Sequence, residues 1–341
     1  MKTVVLVEPY HFEVQERPAP EPGPGEALLR VRVVGICGSD LHAYHGSQPF
    51  LIYPRVLGHE LSAEIVALGP EFPADRGLAV GDRVCVDLVI NCGTCYPCRV
   101  GRPNCCVNIK VMGVHVDGGM AEMLTAPADR LYKVPDSIGD EEAALVEPLT
   151  IGCQAVARGD VASGETVAVL GAGPIGLVSL LAAKARGARV LISDLLDSRL
   201  DLARSLGAEV AVNSSRDDLG KAVADFTSGE GANVVIEAVG IPATVYAALD
   251  VVSAAGRVVL LGLGSKPVEI VPTALIRKEL DIRASRMNSR RFPEAIDLIA
   301  RARLPLCELI THRMLLASAA DAFELLVRRP DEACKVVLLP G

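Results

Sequence analysis

The chain's 341 residues are half apolar and 22% charged, contain no Trp, and carry a formal net charge of −8. That length exceeds one ordinary core and suits two domains, each folded around its own interior. The composition carries no disorder signature, and the acidic balance argues against a nucleic-acid or anionic-membrane surface, which needs clustered Lys and Arg. A small-molecule partner is expected.

The opening Met1-Lys-Thr-Val-Val-Leu-Val-Glu-Pro9 has no secretory apolar region and no small-residue cleavage site, so it reads as a first strand and the protein as cytoplasmic. Ten cysteines would stay reduced there, and their spacing suits metal ligation better than a disulfide framework. Up to about Asp136 the chain is short apolar runs cut by Pro and Gly: Val4–Val7, Ala27–Val34, Leu61–Leu68, Arg83–Val89 and Ala121–Thr125. These predict an all-β domain. Pro18, Pro20, Pro22 and Pro24 make an extended connector between the first strands.

Within this domain Cys92-Gly-Thr-Cys95-Tyr-Pro-Cys98, followed by Cys106, offers four thiolates in one short lobe. Such a set suits a closed tetrahedral zinc with no position left for substrate, hence a structural ion; the bland alternative is buried free thiols. Only one of Cys105 and Cys106 can easily point inward, and Cys106 is preferred. Cys37 in V-G-I-C-G-S-D-L-H, His59-Glu60 in V-L-G-H-E and Glu147 in L-V-E-P-L are weak signals singly. Together they supply the sulfur, nitrogen and carboxylate mixture of an open, catalytic zinc.

Asp140–Ala157 predicts a helical stretch leading out of the β domain. Strand and helix then alternate, with strands near Thr166–Leu170, Arg189–Ser193, Val210–Val212, Val234–Glu237, Arg257–Leu261 and Asp281–Ala284. Six such strands make a doubly wound parallel sheet, an α/β Rossmann domain. Its signature lies in Thr166–Ala183, where a buried strand runs into Gly171-x-Gly173-Pro174-Ile175-Gly176 and a helix. The first glycine allows the turn, the second admits a pyrophosphate, and the third allows close packing, so phosphates rest on helix N–H groups. The stretch is apolar enough to resemble a membrane span, but Pro174 and the three glycines argue against one. Asp194 ends the next strand eighteen residues after Gly176, where a carboxylate meets a ribose 2′-hydroxyl and opposes a 2′-phosphate. NAD is therefore expected over NADP, with Arg199 close by. Gly240, Leu261 and Gly262, at the ends of later strands, complete the cofactor set. After Ser285, Phe292-Pro-Glu-Ala-Ile-Asp-Leu-Ile-Ala reads as helix, and Lys335-Val-Val-Leu-Leu as a last strand returning to the first domain.

The order V-G-I-C-G-S-D-L-H, G-H-E, C-G-x-C-x-x-C-x₇-C, E-P-L and G-A-G-P-I-G resembles the zinc-dependent medium-chain dehydrogenases over nearly the whole chain. The resemblance implies a mainly β GroES-like catalytic domain over residues 1–150, a Rossmann NAD-binding domain over 151–285, and a C-terminal segment, 286–341, returning to the catalytic domain. It implies a catalytic zinc on Cys37, His59 and Glu147, with Glu60 a fourth ligand or a neighbour of the ligands. Ser39 and His42 would relay the substrate proton to solvent; read as residues alone, Ser39 is a helix cap and His42 an ordinary surface side chain. The zinc would lower the pKa of the substrate hydroxyl while hydride leaves the adjacent carbon for NAD. A homodimer or homotetramer is also implied.

Glu147 stands where alcohol dehydrogenases of that superfamily carry a cysteine, which points to the polyol (sorbitol) and threonine dehydrogenase branch. Gly46-Ser-Gln-Pro-Phe50, Arg102-Pro-Asn-Cys-Cys106 and Gly113-Val-His-Val-Asp-Gly-Gly119 are similar to bacterial L-galactonate and L-gulonate 5-dehydrogenases, which oxidise a secondary alcohol of a sugar acid. By that resemblance Arg286 would meet a substrate carboxylate, although Met287 separates it from Asn288, and His115 is a further substrate candidate. The alternatives are a general polyol or sorbitol, 2,3-butanediol or threonine dehydrogenase, and a non-catalytic dinucleotide-binding sensor or structural protein.

Overall fold

The computed structural model describes residues 1–341. It divides into two compact units, one of Met1–Glu147 with Phe292–Gly341, the other of Pro148–Arg291. The first unit opens with an antiparallel hairpin, β1 (Lys2–Glu8) and β2 (His11–Glu16). β3 (Glu26–Gly35) runs into helix α1 (Gly38–Tyr44), and β4 (Glu60–Leu68) and β5 (Arg83–Val86) follow. The short strands β6 (Val89–Ile90) and β7 (Lys110–Val111) flank the cysteine lobe and its one-turn helix α2 (Tyr96–Arg99). β8 (Met123–Pro127), β9 (Leu131–Lys133) and α3 (Asp140–Ala144) then lead to α4 (Val146–Arg158), within which the two units divide.

Along β3, Ala27, Leu29 and Val31 are buried while Arg30 and Arg32 are exposed, the two-residue period of a sheet with one face on the core. That face meets Leu61, Ile65, Val84, Leu131 and Phe323 in one apolar cluster. Full burial of a single leucine such as Leu29 contributes about 1.5–3 kcal/mol. Three sequence expectations need adjustment. The run Arg83–Val89 is two strands, because the Asp87 carboxylate accepts the Val89 N–H and turns the chain. The run at Ala121 starts two residues later, because Ala121 bridges Thr3 before the ladder with β3 begins at Met123. The helical stretch from Asp140 breaks at Leu145, whose N–H caps α3.

The second unit holds β10 (Thr166–Leu170), α5 (Pro174–Ala185), β11 (Arg189–Asp194), α6 (Asp197–Ser205), β12 (Val210–Asn213), α7 (Leu219–Phe226), β13 (Ala232–Glu237), α8 (Pro242–Val251), β14 (Val252–Leu260), α9 (Pro272–Lys278) and β15 (Asp281–Ala284). All six strands are parallel, in the order β12-β11-β10-β13-β14-β15. The central strands are buried on both faces, so they read as continuous apolar runs with no alternation. Chain order reverses between β10 and β13, and such a reversal leaves a crevice at the carboxyl ends of the strands. Thr166–Ala183 is strand, turn and helix, and no helix is long and apolar enough to cross a membrane.

The chain returns to the first unit with α10 (Phe292–Ala302), β16 (Ile310–Leu315), α11 (Ala319–Arg328) and β17 (Lys335–Leu339). β17 pairs antiparallel with β3 through Val337–Gly35 and Leu338–Val34, and parallel with β16. The resulting seven-stranded sheet runs β16-β17-β3-β4-β5-β9, with β8 also on β3. This pairing sets Lys335 beside the end of β3, and with it the floor of the site.

Candidate active site and dinucleotide cradle

The ends of β3, β4 and β17 and the start of α1 build one buried polar cluster in the first unit. Cys37 precedes α1, and its backbone N–H donates 2.9 Å to Asp40 Oδ2, which ties the turn down. Asp40 is 1% exposed and its Oδ1 lies 3.5 Å from His59 Nδ1. His59 is itself buried; its Nε2 meets Ser39 Oγ at 3.2 Å, and its ring is hydrogen-bonded to Cys37. Glu60 is fully buried and accepts from Lys335 Nζ at 2.8 and 2.7 Å, while Nζ also donates 3.1 Å to the Ile36 carbonyl. Gly35 is required here, since a Cβ would stand 2.3 Å from Glu60 Oε2.

The electrostatics of this cluster favour a cation. Burial alone would lower the pKa of His59, but Asp40, Cys37 and Glu147 outweigh it and hold the imidazole well above its ordinary value. Burial pushes Glu147 up to about 8, against the pull of His59 and with Glu60 adding to the rise. Asp40 is raised by burial as well. Carboxylate, thiol and imidazole gathered in a largely buried cluster are the donor set of an open zinc site, and His59 Nδ1 is buried without a hydrogen bond. The residues therefore fit a divalent ion, although the ligand atoms of Cys37, His59 and Glu147 are less tightly drawn together than those of the cysteine lobe.

In that lobe the sulfurs of Cys92, Cys95, Cys98 and Cys106 all lie within 4.8 Å of one another. The separations are 3.4 Å for Cys95–Cys98, 3.5 Å for Cys106–Cys92 and 3.8 Å for Cys95–Cys106. Zn–S bonds of about 2.3 Å in a tetrahedron place sulfurs about 3.8 Å apart, so the cage has the right size. The backbone N–H groups of Cys92 and Cys95 donate to sulfur at 3.3 and 3.4 Å, and N–H donors at Thr94 and Cys95 pull the Cys92 thiol down to about 5. Cys106 is buried and belongs to the cage; Cys105 is half-exposed and does not.

In the second unit Gly171 has φ +100°, and a Cβ on Gly176 would stand 1.8 Å from the Gly171 carbonyl oxygen, so turn and helix can close only without side chains. Gly173 opens α5, and a Cβ built on it meets nothing within 4 Å: the space beside it is open. Pro174 and Ile175 follow in the first turn, whose N–H groups have no intrahelical acceptor. This is a cradle for a pyrophosphate. Asp194 Oδ2 accepts the Ala172 N–H at 2.7 Å, and Arg199 Nη1 lies 3.7 Å from the same oxygen. Gly240 and Gly262 lie backbone to backbone where the loops after β13 and β14 meet, and Leu261 donates its N–H to the Glu237 carbonyl.

His42 is exposed, with Nδ1 3.2 Å from Ser47 Oγ. His115 Nδ1 accepts the Val111 N–H, and its ring stacks on Phe50 at 6.0 Å. Arg286 is exposed and belongs to the second unit, just beyond β15. Sequence reasoning missed Asp40, Lys335 and Asp87. Asp40 directly follows Ser39 inside a quoted motif, so its spacing was a usable signal; Lys335 lies in an ordinary strand pattern and had none. Asp87, pushed up to about 6 by burial, adds negative charge that raises Glu147.

Residues 23–136 match the model of the alcohol dehydrogenase GroES-like domain, and residues 174–301 that of the zinc-binding dehydrogenases. The chain belongs to the zinc-binding, medium-chain alcohol dehydrogenase family. It is 38% identical over 340 residues to the starvation-sensing protein RspB of Escherichia coli K12, covering 99% of both chains. It is 38% identical to the L-threonine 3-dehydrogenase of Pyrococcus horikoshii and 35% identical to the L-galactonate-5-dehydrogenase of E. coli K12, covering 99% of this chain and 98% of the relative in each case. Among solved structures, the rspB alcohol dehydrogenase of E. coli CFT073 complexed with NADH superposes with a TM-score of 0.93 at 38% identity, and a zinc-binding dehydrogenase of Sinorhizobium meliloti 1021 bound to NADP with 0.93 at 33%; each alignment covers 99% of both chains. The general activity is that of a zinc-dependent, NAD(P)-linked alcohol dehydrogenase.

Proposed function

We propose that the chain oxidises a secondary alcohol of a sugar acid or polyol, such as L-galactonate or L-gulonate, to the ketone, with hydride transfer to NAD. The observation that carries this reading is the largely buried cluster in which Glu147, and not a second sulfur or a second imidazole, joins Cys37 and His59. In this reading Cys37, His59 and Glu147 hold the catalytic zinc, Glu60 stays beside them on Lys335, and Cys92, Cys95, Cys98 and Cys106 hold the structural one. The metal, when bound, supplies a Lewis acid for the substrate oxygen, and NAD the hydride acceptor. The first unit is the catalytic domain, the second the cofactor domain, and the C-terminal segment completes the first.

Ser39, 3.2 Å from His59 Nε2, accepts the proton of the substrate hydroxyl as its own hydroxyl proton passes to exposed His42, which releases it to water. The Asp40 carboxylate, 3.5 Å from His59 Nδ1, holds the imidazole by charge. Arg286 pairs with the substrate carboxylate and His115 meets its polyol chain; the L-galactonate relative supports an acidic substrate. The threonine relative favours a second reading, L-threonine oxidation at the same cluster. A cytoplasmic homodimer or homotetramer accompanies either reading, and light scattering measures the subunit count. NADH formation on L-galactonate, L-gulonate, sorbitol, 2,3-butanediol and L-threonine tests the substrate. The aldonates should show the highest kcat/KM, and a preference for sorbitol or threonine would overturn the assignment.

A further inference from the structure

We propose that Glu237 is a positioning residue for the nicotinamide half of the dinucleotide: one oxygen of its carboxylate fixes the loop after β13, its backbone carbonyl fixes the loop after β14, and the joined loops border the place where that half rests. The proposal rests on the dinucleotide-binding reading given above.

Strand order tells which half of the cofactor these loops face. The glycine turn after β10 takes the pyrophosphate, and β11 lies on one side of β10 while β13 and β14 lie on the other. The end of β11 belongs to the adenosine side, so the nicotinamide leads away over the ends of β13 and β14. Glu237 is the last residue of β13, in register with Leu170 of β10 and Leu260 of β14, and it is 1% exposed.

Oε1 of Glu237 accepts the N–H groups of Val239 at 2.9 Å and Gly240 at 2.8 Å, and the Thr244 hydroxyl, in the first turn of α8, stands 2.7 Å from it. The Glu237 carbonyl accepts the N–H groups of Leu261 at 2.9 Å and Gly262 at 3.0 Å. The two loops close on one another: a Cβ on Gly262 would stand 2.1 Å from the Gly240 nitrogen, and one on Gly264 would stand 1.8 Å from the Gly240 carbonyl oxygen. Taking Oε1 away leaves two backbone N–H groups of this short loop without their acceptor, and the loop must shift to find others. The glycine turn keeps its own tie, from the Ala172 N–H to Asp194. Because Oε1 makes all three side-chain bonds, a glutamine oxygen can take its place: the role is that of an acceptor in a fixed position and not that of a charge.

The test is binding of NADH and of ADP-ribose, which lacks the nicotinamide, to the full-length wild type, Glu237→Gln, Glu237→Ala and Thr244→Val by titration calorimetry, with hydrogen exchange of the peptide spanning 238–244. Glu237→Ala should weaken NADH about tenfold, leave ADP-ribose within about twofold, and speed exchange in that peptide. Glu237→Gln should match the wild type within about twofold on both ligands. Thr244→Val removes one donor and keeps the acceptor, and should weaken NADH alone by about threefold. Equal weakening of both ligands by Glu237→Ala, the mark of a merely structural role, would overturn the proposal, as would a Glu237→Gln variant as impaired as Glu237→Ala. Unchanged NADH affinity in Glu237→Ala, or in Thr244→Val should the alanine variant not fold, would overturn it as well. Binding of neither ligand by the wild type would instead remove the dinucleotide reading, and this inference with it.

Discussion

Glu60 and Lys335 form an ion pair in which the side chains are 1% and 2% exposed, so neither charge has water to fall back on. Lys335→Met should leave Glu60 buried and unpaired and lower the unfolding free energy by about 3–5 kcal/mol; Glu60→Gln added to it should recover part of that loss. Urea unfolding of the three proteins measures both effects, and equal stability of the single and double variants would show the pair to be uncoupled. Glu147 gives a pH signature. Burial raises it from its ordinary 4.5 to about 8, so between those values the metal-stripped fold keeps a proton that the unfolded chain has released. This group's contribution to stability is complete below about 4.5 and is lost as pH rises towards 8. Melting of metal-stripped protein from pH 5 to 8 should therefore fall more steeply for the wild type than for Glu147→Gln, and parallel curves would contradict the assignment.

Two short elements, the glycine turn and the cysteine lobe, are the proposed seats of the cofactor and the structural metal, and each should tolerate little change. A Cβ on Gly176 would press within 1.8 Å of the Gly171 carbonyl, so Gly176→Ala should weaken NADH binding by about tenfold or more, read by titration calorimetry. Unaltered affinity would mean the cradle is not where the cofactor sits. In the cysteine lobe, which has no core of its own, Cys95→Ser should remove one zinc per chain and lower the melting temperature. The same elements show how much was legible beforehand. β10 stands where its apolar run predicts, because a buried parallel strand is written as a continuous β-branched segment. The cysteine cage was readable because its ligands are close in sequence. β16 was not, since Thr311-His-Arg-Met-Leu315 is half-exposed and its place is set by pairing with β17, far along the chain. α11 was missed for a similar reason: its apolar face has meaning only against the core around Phe323.

At the scale of the molecule, the site in the first unit is assembled from residues more than 250 positions apart, with Lys335 brought to Glu60 by the pairing of β17 with β3. No local spacing announces such a contact, and for that reason Lys335 escaped notice while Cys37, His59 and Glu147 could be proposed from family motifs. The account's central claim is that these three side chains hold a metal distinct from the one in the cysteine lobe. Zinc per chain in purified wild type and His59→Ala, determined by plasma mass spectrometry, tests it most directly. Two zinc ions in the wild type and one in the variant, with the variant still folded, is the expected result. The same zinc content in both proteins would contradict the claim.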